Sequence, residues 1–283
     1  MSNKSYLSIY AKSFNWAGFF LPKNTYQKCS TLYDFCRTID NIADEEGDIE
    51  IKKKKLSYFK KNFTNKNFDD LVIKNMWNLI DEHSISTKII SDLFNGVESD
   101  LKEKVQLNTK KDLLIYSYRV AGTVGLMMAK ILNVKNREAM KSAIDLGIAM
   151  QLTNIARDVV EDSKNNRFYI QHNFETITHT LNMANIFYDS SFSAIREIPF
   201  NFRFAILVAR RVYRKIGDKI LINNNIATYN KCGKIYVNNL GKVQQTFLSI
   251  FDLLKLFLIK QKNHLRDEEH LLINEEIDLN ERI

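Results

Sequence analysis

Residues 33–45 read YDFCRTIDNIADE, and four of their side chains decide how this part of the chain folds. Tyr33, Arg37, Asp40 and Asp44 follow the spacing i, i+4, i+7 and i+11, which places them on one face of an α-helix. A globular helix normally fills such a stripe with aliphatic residues. An aromatic ring, a guanidinium and two carboxylates in that position predict a helix face that lines something wet or ionic.

A second segment repeats this pattern. Residues 151–162 read QLTNIARDVVED and place Gln151, Asn154, Asp158 and Asp162 at i, i+3, i+7 and i+11. Carboxylates one turn apart repel each other by a few tenths of a kcal/mol, so two such pairs on core-like stripes need a cation. Ligands that are all oxygens favour Mg²⁺ over zinc, and a diphosphate would complete the coordination. Either pair alone is more simply a solvated helix face, but the repeated pattern, with an arginine in each segment, argues against that.

The composition favours long helices. The chain has 283 residues, of which 45% are hydrophobic, and only 2 prolines and 9 glycines interrupt it. Helical periodicity predicts helices over residues 24–45, 50–63, 67–82, 85–105, 109–132, 136–163, 175–195, 200–223 and 229–260, and no segment alternates long enough to predict a sheet. We expect an all-α, single-domain fold over residues 1–260. An acidic C-terminal tail, either a short helix or disordered, follows over residues 261–283.

The net charge limits the function classes. The chain carries +8, and because residues 261–283 carry −4, the rest carries +12. A basic body suits nucleic acid, anionic lipid heads or phosphorylated small molecules, although a lysine-rich composition alone would also produce it. There is no Walker, Gly-x-Gly-x-x-Gly or nucleophile-elbow motif. The three cysteines and five histidines form no metal-ligand spacing, and we expect a reducing, cytoplasmic compartment without a signal peptide or a membrane-spanning run.

Residues 121–125, AGTVG, lie inside a helical pattern. A glycine there costs about 1 kcal/mol relative to alanine, so it should serve a close approach. Another helix and a ligand are equally good candidates for the approaching group.

These segments resemble the squalene and phytoene synthases, the head-to-head prenyl transferases, and the resemblance extends from Lys12 to about Tyr236. The second segment continues as SKNNRFYI over residues 163–170, similar to the family's Asp-x-x-x-x-Arg-x-Tyr extension, and residues 116–125 match a third family block. Two positions differ: Asn41 stands where the family usually has aspartate, and residues 170–171 are Ile-Gln instead of Leu-Pro. The resemblance implies an isoprenoid-synthase helical bundle around a central cavity.

The resemblance also implies roles for individual residues. Mg²⁺, with Mn²⁺ as a substitute, would be bound by Asp40, Asp44, Asp158 and Asp162. The implied catalytic residues are Tyr33, Arg37, Tyr116, Arg157 and Tyr169. The implied substrate-binding residues are Arg37, Gln151, Asn154, Arg157, Arg167 and Tyr213. Non-catalytic relatives that act as scaffold partners should have lost metal aspartates, and all four are present here.

Within the family, residues 121–128 and 145–158 look most similar to bacterial phytoene synthases. We therefore expect two geranylgeranyl diphosphates to be joined to phytoene through a cyclopropyl diphosphate, in carotenoid biosynthesis and without NADPH. The alternative is a squalene, dehydrosqualene or hydroxysqualene synthase that uses farnesyl diphosphate. Small residues at Gly18, Ala121, Gly122, Gly125 and Ala129 are expected along a deep tunnel. The expected partners are prenyl diphosphates and, peripherally, the inner membrane surface, but no nucleic acid; the sequence leaves the oligomeric state open.

Overall fold

The computed structural model describes residues 12–260 and 263–283, and almost all of its regular structure is helical. The α-helices are α1 (Lys12–Gly18), α2 (Lys23–Asp44), α3 (Ile49–Thr64), α4 (Leu71–His83), α5 (Thr87–Ser99), α6 (Lys110–Ser117), α7 (Thr123–Ile131), α8 (Arg137–Lys164), α9 (Phe174–Phe192), α10 (Phe200–Leu221), α11 (Ile226–Lys231), α12 (Asn239–Leu258) and α13 (Asp267–Asn274). A π-helix (Tyr118–Gly122) joins α6 to α7, and two 3₁₀ turns span Ser193–Glu197 and Leu279–Glu281.

Helix α8 is the centre of the bundle. It begins where the side chain of Asn136 accepts a hydrogen bond from the backbone N–H of Ala139, a standard N-cap. It packs against the π-helix, α7, α9 and α10. Its 28 residues span about 42 Å at 1.5 Å per residue. The two aspartate segments lie in the C-terminal halves of α2 and α8. The all-α, single-domain expectation is confirmed.

The chain departs from the predicted helix pattern in five places. The predicted set lacks α1 (Lys12–Gly18), and the helix predicted over 85–105 ends at Ser99. The helix predicted over 229–260 is two helices, because Gly233 takes a left-handed φ of +62° and Asn238 caps a new helix at Asn239. The predicted helix 109–132 contains the π-helix. The expectation of no sheet misses one short parallel ladder, β1 (Val105–Gln106) with β2 (Arg167–Phe168), which fixes the loop that follows α8.

Two glycines explain how closely α7 and α8 approach each other. A Cβ at Gly125 would lie 2.2 Å from the carbonyl oxygen of Ala143, and one at Gly147 would lie 2.2 Å from that of Ala121. Only glycine fits such backbone contacts. The close approach expected at residues 121–125, by either a helix or a ligand, is therefore made at Gly125 by the neighbouring helix α8.

The segment set apart as an acidic tail packs against the helical body. Ile273, Ile277 and Leu279 are buried in the main core. The guanidinium of Arg282 forms two hydrogen bonds with the carboxylate of Asp92, at 2.9 and 3.1 Å. Residues 263–283 therefore contribute to the core of the same bundle, with α13 as their one helix of two turns.

Across residues 12–260 and 263–283, no helix is both long enough and apolar enough to cross a bilayer.

Candidate active site

A cavity of 1460 Å³ runs through the bundle, with walls from α1, α2, α7, α8 and α10. A pocket for one drug-sized ligand occupies about 300–1,000 Å³, so this cavity has room for a larger or a second ligand. Eleven of the thirteen residues predicted for the site line it: Tyr33, Arg37, Asp40, Asp44, Gln151, Asn154, Arg157, Asp158, Asp162, Arg167 and Tyr213. The two that do not are Tyr116 and Tyr169.

The aspartates of α2 differ in their partners. Asp44 accepts a hydrogen bond from Nη1 of Arg167 at 2.9 Å and lies 4.0 Å from Nη1 of Arg37. Asp40 has no side-chain hydrogen bond or ion pair among residues 12–260 and 263–283. Burial, followed by repulsion from Asp44, raises the pKa of Asp40 to about 7 despite the attraction of Arg37. One member of this pair is therefore neutralised by arginine and the other is not.

The aspartates of α8 repeat this arrangement. Asp158 accepts a hydrogen bond from Nε of Arg157 at 2.8 Å and lies 3.9 Å from Nζ of Lys234. Asp162 has neither an ion pair nor a side-chain hydrogen bond within the described part of the chain. Burial and the neighbouring Asp158 raise its pKa to about 7 as well. Each helix thus offers the cavity one paired and one unpaired carboxylate.

Arg167 connects the two pairs. The β1–β2 ladder holds this residue opposite Val105, and from there its guanidinium reaches Asp44 on α2. Burial disfavours its charge, but Tyr169 and the carboxylates around it outweigh that and keep its pKa above the ordinary value. The positive charge of Arg167 also acts on Asp40 and Asp162, where it partly offsets the rise in their pKa values. The two aspartate pairs therefore belong to one electrostatic cluster.

Sequence reasoning missed Asp100, which lines the same cavity at the end of α5. The hydroxyls of Tyr116 and Tyr169 reach its two carboxylate oxygens, each at 2.8 Å, and their rings stack at 4.6 Å. Burial raises the pKa of both tyrosines, so their hydroxyls stay protonated and act as donors. Neither tyrosine lines the cavity, and both contact Asp100, which does. Their expected catalytic role stays a prediction, and the geometry is consistent with their acting through Asp100.

Asp100 lacks a second acidic residue one turn away on its helix, so no paired pattern pointed to it. Gly96, one turn earlier on α5, is a sequence signal for close packing of this helix, but not for an acidic site. A Cβ there would lie 2.8 Å from Cβ of Arg119, which marks close packing of α5 on the π-helix.

Polar groups continue along the cavity wall beyond the aspartates. Nδ2 of Asn154 lies 3.5 Å from Oε1 of Gln151, while Oδ1 of Asn154 is buried with no hydrogen-bond partner in the described part of the chain. Burial raises the pKa of Tyr33 and of Tyr213 to about 12, so both are neutral hydroxyls. The ring of Tyr213 packs 4.8 Å from that of Phe14. These residues lie where the charged part of the cavity meets its apolar part.

Many small and apolar side chains also line the cavity. Of the five small residues predicted along a tunnel, Gly18, Ala121, Gly125 and Ala129 line it. Gly122 does not, because its missing Cβ faces Tyr118 and Ile144 inside the bundle. At Gly18 an added Cβ would lie 2.7 Å from the ring of Tyr26, so a larger residue there would first displace that tyrosine.

The donors at the charged part of the cavity fit a divalent cation. They are carboxylate oxygens, the ligands that Mg²⁺ and Mn²⁺ prefer. Asp40 and Asp162 contribute negative charge that no described side chain pairs with, and a cation is the group that would stabilise it. Asp40, Asp44, Asp158 and Asp162 are therefore the residues that could hold metal here.

A second acidic cluster lies on α8, away from the cavity. Asp145 is fully buried, and its two oxygens contact Nε2 of His264 and Nε2 of His270, each at 2.7 Å. Ser190 Oγ donates a third hydrogen bond at 3.0 Å. The ligand atoms of this group lie within 4.8 Å of one another. The sequence placed these histidines far apart from Asp145, and only the packing of residues 263–283 on α8 brings them together.

Burial raises the pKa of Asp145, but the hydrogen bonds from His264 and His270 lower it more, to below the ordinary value. Nδ1 of His264 lies 3.1 Å from Asp267, and these carboxylates raise the pKa of His264. Donors already occupy both oxygens of Asp145, so this cluster is a satisfied hydrogen-bond network that anchors residues 263–283.

The fold and the cavity define a class: an all-helical enzyme whose one large cavity joins an apolar tunnel to carboxylates and arginines on facing helices. Residues 7–173 match the family model described as squalene/phytoene synthase. The chain is 27% identical over 247 residues to 15-cis-phytoene synthase of Pantoea ananas, covering 76% of this chain and 80% of that protein. It is 28% identical over 243 residues to a phytoene synthase of Pseudescherichia vulneris, covering 74% and 78%.

A solved dehydrosqualene synthase, crystallised with a ligand, is 25% identical and superimposes with a TM-score of 0.76, covering 89% of this chain and 95% of that one. The chain therefore belongs to the squalene/phytoene synthase family and is a prenyltransferase-type enzyme.

Proposed function

We propose that this enzyme joins two molecules of geranylgeranyl diphosphate head to head to form phytoene, for carotenoid biosynthesis, and that it needs no NADPH. The similarity to named phytoene synthases supports the choice of product. The observation that carries the proposal is the cavity itself. Two unpaired carboxylates, Asp40 and Asp162, and two arginines, Arg37 and Arg157, line a 1460 Å³ cavity that also has many small and apolar side chains in its walls.

Each part of the cavity has a distinct role in the proposed reaction. Asp40, Asp44, Asp158 and Asp162 would hold divalent cations, which supply positive charge to the diphosphates. Arg37, Arg157 and Arg167 bind diphosphate oxygens through their guanidinium forks. Because these cationic groups are held by ion pairs before the substrate arrives, they need little reorganisation when negative charge develops on the leaving diphosphate.

The reaction has two parts. The C1–O bond of the first substrate breaks, diphosphate leaves with the electron pair, and the double bond of the second substrate attacks the allylic cation. Loss of a proton gives a cyclopropyl diphosphate. Loss of its diphosphate, rearrangement and a second proton loss give the linear hydrocarbon. The apolar walls exclude water that would otherwise quench the cations. Tyr33 and Tyr213, at the border of the charged part, present aromatic rings that can stabilise a cation.

A second candidate is condensation of two farnesyl diphosphates to a C30 product. The similarity in structure to a dehydrosqualene synthase favours it. The two candidates share the carboxylates and arginines and differ in the chain length that the apolar walls accept.

The test is to incubate the purified enzyme and Mg²⁺ with geranylgeranyl or farnesyl diphosphate, with and without NADPH, and to identify the hydrocarbons by mass spectrometry. We expect phytoene from the C20 substrate, with no effect of NADPH. If the enzyme ignores the C20 substrate and forms only C30 products, the phytoene assignment is wrong and the second candidate is right.

A further inference from the structure

Helix α12 buries a mostly polar face and exposes an apolar one, the reverse of an ordinary surface helix. Its inward face is mostly polar: Lys242, Gln245, Ser249 and Asp252 are buried, with Leu256 as the apolar exception. Its outward face carries these exposed apolar residues: Leu240, Val243, Phe247, Ile250, Phe251, Leu254, Phe257 and Leu258. A surface helix normally turns its charged side to water, so this orientation suits an apolar environment outside the protein.

The contacts of the inward face fix this orientation. Asp252 accepts a hydrogen bond from Nη2 of Arg211 on α10 at 2.9 Å. Earlier on the helix, Thr246 Oγ1 accepts a hydrogen bond from Trp16 Nε1 on α1 at 2.9 Å. Rotating α12 to bury its phenylalanines would break both of these bonds and separate Asp252 from Arg211. The outward apolar face is therefore a stable feature of the fold.

The apolar surface extends beyond α12. The ring of Phe257 lies 6.1 Å from that of Phe200, which is 59% exposed at the start of α10. The guanidinium of Arg203 lies over the ring of Phe200 at 5.8 Å. We define the α12 surface as the exposed apolar residues of α12 together with Phe200.

Cations outnumber acidic groups around the α12 surface: the groove beside it is lined by Arg210, Arg211, Arg214, Lys215 and Lys255, against Asp189, Asp218 and Asp252. The one acidic residue of α12, Asp252, is buried and paired, whereas Lys255 and Lys260 are exposed at the C-terminal end of the helix. Arg196 is also exposed there and donates to the carbonyl of Ile259 at 2.9 Å. An apolar helix face bordered by cations is the pattern of helices that lie in the interface of an anionic bilayer.

The position of α12 also connects this surface to the cavity. Asn239 and Lys242, at its N-terminal end, line the cavity. Toward its C-terminal end, Leu256 packs against Ile195, which lines the cavity from the other side. Helix α12 is therefore an outer wall of the cavity, and whatever covers its apolar face lies next to the prenyl chains.

We propose that the α12 surface docks the enzyme on an anionic lipid bilayer, with α12 lying in the plane of the interface. The choice of lipid over a second copy of the chain follows from the cations at its border, which would repel each other in a symmetric dimer. The docking proposal rests in part on the proposed function, because amphiphilic substrates and a hydrocarbon product are exchanged most directly where the cavity wall contacts lipid.

The experiment is co-sedimentation of the full chain with vesicles of phosphatidylcholine alone or with 30% phosphatidylglycerol, at low and high salt. We expect binding to the anionic vesicles that high salt weakens but does not abolish. The double variant Phe247→Ser/Phe251→Ser should bind at least tenfold more weakly, because it removes two exposed rings from the surface. A matched control, Phe68→Ser/Leu71→Ser, removes two exposed apolar side chains at the start of α4 and should bind as the wild type does.

Circular dichroism and thermal unfolding of the variants establish that both remain folded. The proposal is overturned if the wild type ignores anionic vesicles, or if the Phe247/Phe251 variant binds them as well as the wild type. It is also overturned if sedimentation without lipid reveals a dimer that this variant dissociates, since the surface then binds a second copy. Vesicle binding needs no turnover, so a failure to bind vesicles would not contradict the proposed reaction. Likewise, a failure to form phytoene would not contradict docking on the bilayer.

Discussion

Helix α8 carries a fully buried carboxylate, Asp145, and a half-buried one, Asp162, and their environments are opposite. Near its start, Asp145 receives hydrogen bonds from two imidazoles and a hydroxyl. Burial raises its pKa, but the two imidazoles lower it more, to below the ordinary value. Near its end, Asp162 receives none from the described residues, and burial raises its pKa to about 7. Asp40, on the facing helix α2, matches Asp162 in both respects.

We infer that the difference separates a structural carboxylate, Asp145, from the two proposed metal ligands, Asp40 and Asp162. Asp145 has donors for both oxygens, so it can anchor residues 263–283 without any further ligand. Asp40 and Asp162 are kept in an unfavourable environment, which is typical of groups that act on a ligand. Proximity of acidic residues alone would not distinguish the two clusters; the number of donors around each carboxylate does.

The largest effect should follow from neutralising an unpaired carboxylate. We expect Asp40→Asn or Asp162→Asn to lower kcat/KM with prenyl diphosphate substrates on the order of 10³-fold, because charge stabilisation of the leaving group is lost. The control is Asp81→Asn, the same change at an exposed residue of α4 outside the cavity lining. A loss below tenfold in both cavity variants, measured at saturating Mg²⁺, would contradict the assignment.

The next effect concerns the satisfied carboxylate. Asp145→Asn should lower the free energy of unfolding by about 3 kcal/mol, because an amide cannot accept from both imidazoles and leaves His264 without its buried partner. Ser190→Ala, which removes one neutral hydrogen bond to the same carboxylate, should cost about 1 kcal/mol. Urea unfolding measures both. Equal and small losses would mean that Asp145 does not anchor residues 263–283.

The smallest effect has the opposite sign. In EDTA at pH 8, Asp40→Asn should raise the free energy of unfolding by about 1 kcal/mol, because it removes a buried, unpaired charge. The folded-state pKa of Asp40, about 7, lies above its unfolded value, so ionisation destabilises the fold increasingly from about pH 4 to pH 7. The gain should therefore shrink between pH 7 and pH 4. Thermal unfolding across this range checks it, and a destabilised variant at pH 8 would refute the argument.

Much of the site could be predicted from the sequence because its signal is local. Tyr33, Arg37, Asp40 and Asp44 share one helix face, and helix periodicity alone brings them to the cavity. The same holds for residues 151–162. What the sequence could not supply depends on contacts between distant segments. Asp100 reaches the site from the end of α5, and His264 and His270 reach Asp145 only when the C-terminal segment packs on α8.

In the fold, too, local features were predictable and features that depend on contacts or single turn residues were not. Helix positions were predictable from the scarcity of glycine and proline, and the all-α expectation is confirmed. The division of residues 229–260 was not, because the break depends on one glycine with positive φ and one asparagine cap. The outward apolar face of α12 also needed the structure, since periodicity identifies an amphipathic helix but not which face is buried.

The central claim is that the unpaired carboxylates, and not the satisfied one, bind divalent metal. Mn²⁺ binding in the presence of inorganic diphosphate, followed by electron paramagnetic resonance, tests it most directly. We predict that the wild type and Asp145→Asn bind Mn²⁺, that affinity rises with pH through about 7 as Asp40 and Asp162 lose their protons, and that Asp40→Asn/Asp162→Asn binds at least tenfold more weakly. Wild-type affinity in the Asp40→Asn/Asp162→Asn variant, or loss of binding only in Asp145→Asn, would contradict it.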